Sequence, residues 1–375
     1  MPPILCDFYL EPNRAGIRKV AEAVAAESST GTWTRVATEK PYMKKLAAKV
    51  VSIKKKGRAG NIRIAYPLEL FEHGNVPQLL SSVAGNIFGM KAVRKLRLND
   101  ITLPKGYVKS FKGPKFGTDG VRKLLGVKKR PLLGTIIKPK LGLRTRDHAK
   151  VAYDAWLGGC DIVKDDENLS SQKFNPFQRR IKETLRMRDK AEKETGEKKI
   201  YMPNITAETN EMINRAKFVK RCGCEYIMID ILTCGWSSLQ TLRNTDLGLV
   251  IHAHRAGHAA FTRGRHGISM LIVAKLARLI GVDQLHIGTA AVGKMTQEDD
   301  AVRLENALRK KWFGLKTVFP VASGGIHAEL VPQLIKKMGK DIIIQAGGGV
   351  HGHPKGTIAG AKAMRTAIES NLNFY

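Results

Sequence analysis

Acidic residues are scarce in this chain: 33 Asp and Glu face 64 Lys and Arg, which leaves a formal net charge of +31. Such an excess attracts anions, and nucleic acid and a bisphosphate are the two candidate partner classes. It excludes a dense ion-pair network of the thermophile kind, which needs a matching stock of carboxylates. Aromatics are also few, at 6%. The basic clusters at 44–58, 128–130, 198–199, 310–311 and 336–337 therefore lack an interleaved platform for stacking bases. They are spread along the whole chain, so solvated faces are the preferred reading and nucleic acid is not an expected partner. The five cysteines (Cys6, Cys160, Cys222, Cys224, Cys234) are odd in number and scattered, which argues against a disulfide framework. Cys222 and Cys224, one residue apart, lack the usual metal-ligand spacing. Long apolar runs are missing too: GISMLIVAKLARLIGV is broken by Lys and Arg, and MPPILCDFYL has no basic start ahead of an apolar stretch. No membrane span or leader is expected, and the chain reads as cytoplasmic.

What is present is enough apolar content, 43% of 375 residues, to bury a full core in two domains. From about Pro131 onward, short β-branched runs recur at intervals of roughly 22 to 37 residues with helical patterns between them. The runs are LLGTIIK (132–138), DIVKDDE (161–167), KIYMPNI (199–205), YIMIDIL (226–232), LVIHAHR (249–255), QLHIGT (284–289), TVFPVASG (317–324) and DIIIQAGGG (341–349). Intervening segments such as DHAKVAYDAWLGG and NEMINRAKFVKRCG carry apolar residues three and four apart, as helices covering a parallel sheet must. Eight βα units point to a closed (β/α)8 barrel of the α/β class, with a doubly wound open sheet still compatible with the rhythm alone. Residues 1–112 read as a smaller α+β domain, with strands in ILCDFYLEP, AKVVSIKKKG and NIRIAYPLEL and a helix over GIRKVAEAVAAES. The Gly, Pro and Lys content of KSFKGPKFG (109–117) marks the linker, so the barrel is expected over 113–375.

Barrel chemistry sits at the carboxyl ends of the strands. Reactive side chains fall there in six of the eight runs: Lys138 and Lys140 after the first, Lys164, Asp166 and Glu167 after the second, His254 and Arg255 after the fifth. The sixth carries His286, the seventh ends in Ser323, Gly324 and Gly325, and the eighth in Gly347 and Gly348. In KDDE, strand alternation turns Lys164 and Asp166 the same way, and Glu167 joins them only where the strand stops being regular. Two readings stay open: a salt-bridged structural lysine, or a magnesium site in which carbamylation by carbon dioxide turns Lys164 into an oxygen ligand. The glycine pairs after strands seven and eight fit tight turns, or unobstructed backbone N–H groups that cradle a phosphate. Arg255 and His286 could hold a second phosphate across the mouth.

Several motifs resemble the Rubisco large-subunit family in order and spacing: GTIIKPKLGL (134–143), GGCDIVKDDEN (158–168), HAHRAGHAAFTR (252–263), HIGTAAVGK (286–294), PVASGGIH (320–327) and AGGGVHGHP (346–354). In the first domain AAESSTGTWT (25–34) and AGNIFGMKAVRKLRL (84–98) join them. The resemblance implies carboxylation of ribulose 1,5-bisphosphate to two 3-phosphoglycerate, with competing oxygenation, through a magnesium-bound enediol. It implies Mg2+ as cofactor and carbon dioxide held as a carbamate on Lys164, with Asp166 and Glu167 as the other ligands. Lys138, supported by Lys140, would move protons, His254 would contact the reacting hydroxyls, and Lys294 would sit over the incoming carbon dioxide. Arg255, His286 and Ser323 resemble binders of one phosphate, and Thr32, Trp33, Gly325, Gly347 and Gly348 of the other, with His258 and Gly324 also on the substrate. Glu27 and Asn86 match residues that a partner subunit contributes, so a homodimer or an assembly of dimers is implied.

The sequence departs from the family where MTQ follows Lys294 in place of an acidic residue and glycine. It ends at Tyr375, where plant-type members carry a latching extension. These trims resemble the archaeal-type, form III enzymes, which work without small subunits. A Rubisco-like enolase or isomerase of sulfur salvage is the alternative, disfavoured because the lysines and phosphate binders are all present. A basic nucleic-acid-binding protein on an inactive barrel rests on the charge alone.

Overall fold

The structure, a computed structural model, describes residues 1–31, 36–290, 292–293 and 301–371. It divides into two compact units, Met1–Lys112 with Gly257–Leu279, and Gly113–Ala256 with Ile280–Tyr375.

The first unit begins with β1 (Ile4–Pro12), whose inward side chains Ile4, Cys6, Phe8 and Leu10 alternate with half-exposed ones as a sheet covered on one face requires. Helix Ile17–Glu27 buries Ile17, Val20, Ala21, Val24 and Ala25, a stripe at three and four residue spacing. The hairpin β2 (Lys49–Lys56) and β3 (Ala59–Tyr66) pairs antiparallel to β1 through β3, and β4 (Val93–Thr102) pairs antiparallel on the other side. The sequence reading did not include β4. Its Leu96, Leu98 and Ile101 are buried while Arg94 and Lys95 flank them, so the charged face hides the alternation.

The second unit is built on parallel strands β5 (Leu132–Ile136), β6 (Ile162–Lys164), β7 (Ile200–Met202), β8 (Tyr226–Asp230) and β9 (Val250–His254). After β9 the chain crosses into the first unit, where β10 (Gly267–Ile268) pairs parallel with β4 and Lys275 forms an ion pair with Asp100. This excursion is non-local and left no mark in the local pattern. The chain then returns for β11 (Gln284–Gly288), β12 (Phe319–Ser323) and β13 (Ile343–Gln345). Pairing runs β7-β6-β5-β13-β12-β11-β9-β8. A parallel bridge between Asn204 and Met228 joins the two ends, with Met228 N on Pro203 O at 2.8 Å and Ile205 N on Met228 O at 3.0 Å. The sheet is therefore a closed barrel, and the open-sheet alternative is excluded.

Its interior is filled by Leu132, Ile162, Ile200, Met202, Tyr226, Met228, Val250, Phe319, Val321 and Ile343. Each fully buried aliphatic side chain contributes ~1.5–3 kcal/mol relative to exposure, so this packed column fixes the strand ends against one another. Among the described residues no helix is long and apolar enough to cross a membrane.

Candidate active site

Regular pairing of β6 stops at Lys164, and the three acids that follow separate by side. Asp165 turns away from the mouth into a fully buried network: it accepts from His148 Nε2 at 3.0 Å, Arg180 Nε at 3.1 Å, Tyr201 OH at 2.8 Å and Asn204 N at 3.1 Å. Burial alone would raise its pKa, but the Arg180 charge and the hydrogen bonds from His148 and Tyr201 outweigh it and hold the carboxyl down at about 2. Asp166 takes Lys138 Nζ at 2.8 Å and both the backbone N and Nδ2 of Asn168, at 3.1 and 2.9 Å. Its pKa also falls, against desolvation, because Lys138 and Asn168 favour the anion. Glu167 faces the Lys164 ammonium at 3.4 Å and His254 Nε2 at 3.7 Å. Desolvation and Asp166 push its pKa up, yet the Lys164 and His254 charges prevail and lower it.

Lys164 is wholly buried. Its Nζ donates to Asp165 O at 2.7 Å and approaches Met228 Sδ at 3.1 Å, so its one close oxygen acceptor is a neutral carbonyl. Asn204 braces the turn by donating Nδ2 to Glu167 O at 3.0 Å and Leu169 O at 3.1 Å. Lys138 follows β5 and is partly exposed, while Lys140 stands exposed two residues on.

Across the mouth, His254 at the end of β9 pairs its Nδ1 with Asp230 Oδ1 at 2.7 Å, and its ring meets that of His286 edge-on at 4.8 Å. His286 is buried. Burial first, then repulsion between a charged ring and the neighbouring His252, His254, Lys164 and Arg255, forces its pKa well below the usual imidazole range, so the ring is neutral near pH 7. Its Nδ1 meets Ser323 Oγ at 2.9 Å, and Nε2 has no protein partner among the described residues, which leaves it for a ligand or water. Arg255 follows directly and is half-buried.

Ser323 leads into Gly324 and Gly325, both with left-handed φ (+108° and +73°) that a side chain would strain. After β13 the turn Gly347–His351 passes close under Lys138: a Cβ on Gly347 would lie 3.2 Å from Lys138 Cε. Gly348 meets nothing within 4 Å. The loops thus leave backbone open beside the lysine.

Sequence reasoning missed Asp230 and Asn204. Both lie at the carboxyl ends of β8 and β7, where the strand-end rule itself would have found them, so all eight strands carry a functional or polar residue at this end. It also missed the partners of Asp165, which come from three separate elements.

Glu27, Asn86 and His258 belong to the first unit. Glu27 ends its helix half-buried, Asn86 is exposed at the start of the turn Asn86–Gly89, and His258 Nδ1 meets Thr262 Oγ1 at 3.1 Å. Thr32, Trp33 and Lys294 lie outside the described residues.

Asp166 and Glu167 offer two hard oxygen donors, yet no group of three or more His, Cys, Asp or Glu among the described residues is arranged to hold a metal ion.

A closed eight-stranded barrel with ionisable groups gathered at its carboxyl-terminal rim defines a (β/α)8-barrel enzyme. The chain belongs to the ribulose bisphosphate carboxylase large chain family: the catalytic-domain profile matches residues 117–373 and the N-terminal-domain profile residues 2–107. It is 56% identical over 376 aligned positions to ribulose bisphosphate carboxylase of Methanocaldococcus jannaschii, covering 94% of this chain and 88% of that one. It is 51% identical to the Methanosarcina mazei protein of the same name, covering 98% and 90%. Among solved structures, the octameric Rubisco of Pyrococcus horikoshii OT3, crystallised with sulfate ion, superposes with a TM-score of 0.95 at 50% identity, covering 99% of this chain and 88% of that one. The dimeric archaeal Rubisco of Hyperthermus butylicus gives 0.93 at 44% identity, covering 99% and 91%.

Proposed function

We propose that this chain carboxylates ribulose 1,5-bisphosphate, joining one carbon dioxide and one water to the five-carbon bisphosphate and cleaving it into two 3-phosphoglycerate. The observation that carries the reading is Lys164. A structural ammonium is normally ringed by close anionic acceptors, whereas this one is fully buried with its carboxylate neighbour only at 3.4 Å. Reaction of the neutral amine with carbon dioxide converts it into an anionic oxygen donor beside Asp166 and Glu167. Those three residues would hold Mg2+, which when bound polarises the substrate's oxygens and stabilises developing negative charge.

The chain's own residues do the rest. Lys138, held at 2.8 Å from Asp166 with its stem against Gly347, presents an ammonium to the mouth and is the group to exchange protons with the substrate, with Lys140 beside it. His254 is oriented through Nδ1 by Asp230, so that its other nitrogen faces Glu167 and the reacting hydroxyls. Arg255, Ser323 and the unpartnered Nε2 of His286 suit one phosphate. Gly324, Gly325, Gly347 and Gly348, with Thr32 and Trp33, suit the other, and Lys294 the incoming carbon dioxide. His258 is the remaining substrate contact in this reading.

Asp230→Asn is expected to lower turnover by about ten- to a hundredfold, the usual cost of losing an orienting carboxylate behind a working imidazole. Because Asp230 positions His254, the pH profile of turnover should move as well. Unchanged turnover and an unmoved profile would remove the pair from the mechanism.

The smallest active unit in this reading is a homodimer, alone or within an assembly of dimers and without small subunits, in which Glu27, Thr32, Trp33 and Asn86 complete the partner's barrel. Mixing a Glu27→Gln chain with a Lys164→Ala chain, each inactive alone, should restore roughly a quarter of wild-type activity at equal mixing, because half the dimers then carry one intact site of two. No recovery despite demonstrated subunit exchange would confine each site to one chain.

A further inference from the structure

The basic composition forms a built feature between two of the barrel's covering helices, beside the segment that follows β6. On the outside of the barrel, helices Phe177–Thr195 and Thr209–Arg221 bound a cleft of about 800 Å³. Residues three and four apart share a helix face. Arg179 and Lys182 therefore line up on the first helix, and Asn214, Lys217, Phe218 and Arg221 on the second, and all six line the cleft. Arg179, Lys182, Lys217 and Arg221 are exposed, and none forms an ion pair with a carboxylate among the described residues. Glu211, the one acid of the lining, is already engaged by Arg215 Nε at 2.9 Å.

Four cations gathered on two facing stripes repel one another and weaken the folded state. A bound ligand of the opposite sign offsets that repulsion. The volume lies in the range of small-molecule sites. The Phe177 and Phe218 rings beneath are each covered by a guanidinium, Arg215 at 5.1 Å and Arg221 at 6.0 Å, so the cleft recognises negative charge and not an aromatic base. We propose that this cleft binds a compact polyphosphate group, supplied either as free inorganic polyphosphate or as the phosphate chain of a nucleotide. Phosphate oxygens would be taken by the four cations, with the Asn214 amide as an additional donor.

The test is calorimetric titration of the full chain with inorganic tripolyphosphate at low salt, comparing wild type with Lys182→Glu/Lys217→Glu and Lys182→Arg/Lys217→Arg. The charge-reversed protein should lose one equivalent of binding per chain, with affinity at that site falling about tenfold or more, and the arginine version should keep it. Equal binding by wild type and the reversed variant would overturn the proposal. ATP should bind the cleft about as well as tripolyphosphate; ATP binding without tripolyphosphate binding would overturn recognition by phosphate alone. Tight binding of a short single-stranded RNA through the same two lysines, with none of tripolyphosphate, would replace the proposal by a nucleic-acid surface. In buffer without polyanion the reversed variant should melt no lower than wild type, since it relieves repulsion; should it fail to fold, Lys217→Gln is read in the same titration.

Discussion

Lys164→Met is expected to give a folded protein with carboxylation reduced by at least about a thousandfold, in line with removing a group on which charge stabilisation in the transition state depends. The stability half of this expectation follows from burial. The ammonium is taken wholly out of water and has a carbonyl at 2.7 Å and a carboxylate only at 3.4 Å. Desolvating an ion costs several kcal/mol, and its carboxylate neighbour Glu167 is partly exposed, so the substitution removes that cost without stranding a buried, unpaired charge. Methionine also suits the contact with Met228. Thermal melting unchanged or raised, with activity gone, is therefore the signature of a residue kept for chemistry. A melting point lowered by many degrees with activity retained would make Lys164 a structural cation. Activation should also favour alkaline pH, because only an unprotonated amine can capture carbon dioxide.

Asp165→Asn reverses the pattern: its primary effect is on the fold. The substitution leaves the fully buried Arg180 guanidinium without its carboxylate, and breaking a buried pair in this way costs about 3–5 kcal/mol. In a chain of this size that lowers the melting temperature by on the order of 10 °C. The pH dependence has a definite sign. The folded-state pKa of Asp165 is depressed from the ordinary carboxylate value to about 2, so its contribution is complete above pH of about 4 and is lost as pH falls through about 2. The stability gap between wild type and Asp165→Asn should accordingly narrow across that window. Asp166 and Glu167, also depressed, add to the acid sensitivity of the wild type. A gap that is constant down to pH 2 would mean that the Asp165 charge is not what holds Arg180 and Tyr201 in place.

These two neighbours show what a sequence can and cannot disclose. Alternation along KDDE is a local rule, so the opposed directions of Lys164 and Asp165 and the break in the strand before Glu167 were legible from four letters. The eight βα units were legible for the same reason, since period two and period 3.6 are properties of short windows. Closure was not: it depends on the Asn204–Met228 bridge, a single pairing that leaves no periodic mark. The partners of Asp165 come from the helix Thr145–Leu157, the helix Phe177–Thr195 and β7, and nothing in one segment specifies the other two. The return of 257–279 to the first unit is hidden likewise, because Gly267–Ile268 pairs with β4 across some 170 residues of chain. Asp230 is different. It sits at a strand end where the rule for barrels directs attention, but its partner His254 lies on the next strand, and a lone Asp closing an apolar strand does not name that partner.

The measurement that bears most directly on the central claim is incorporation of labelled carbon from bicarbonate into 3-phosphoglycerate. The full chain is first incubated with carbon dioxide and Mg2+ at mildly alkaline pH and then given ribulose 1,5-bisphosphate. Label should appear in 3-phosphoglycerate, higher after the preincubation than without it, and none should come from the Lys164→Met protein. Consumption of the bisphosphate without labelled acid, or equal labelling by wild type and Lys164→Met, would contradict the claim.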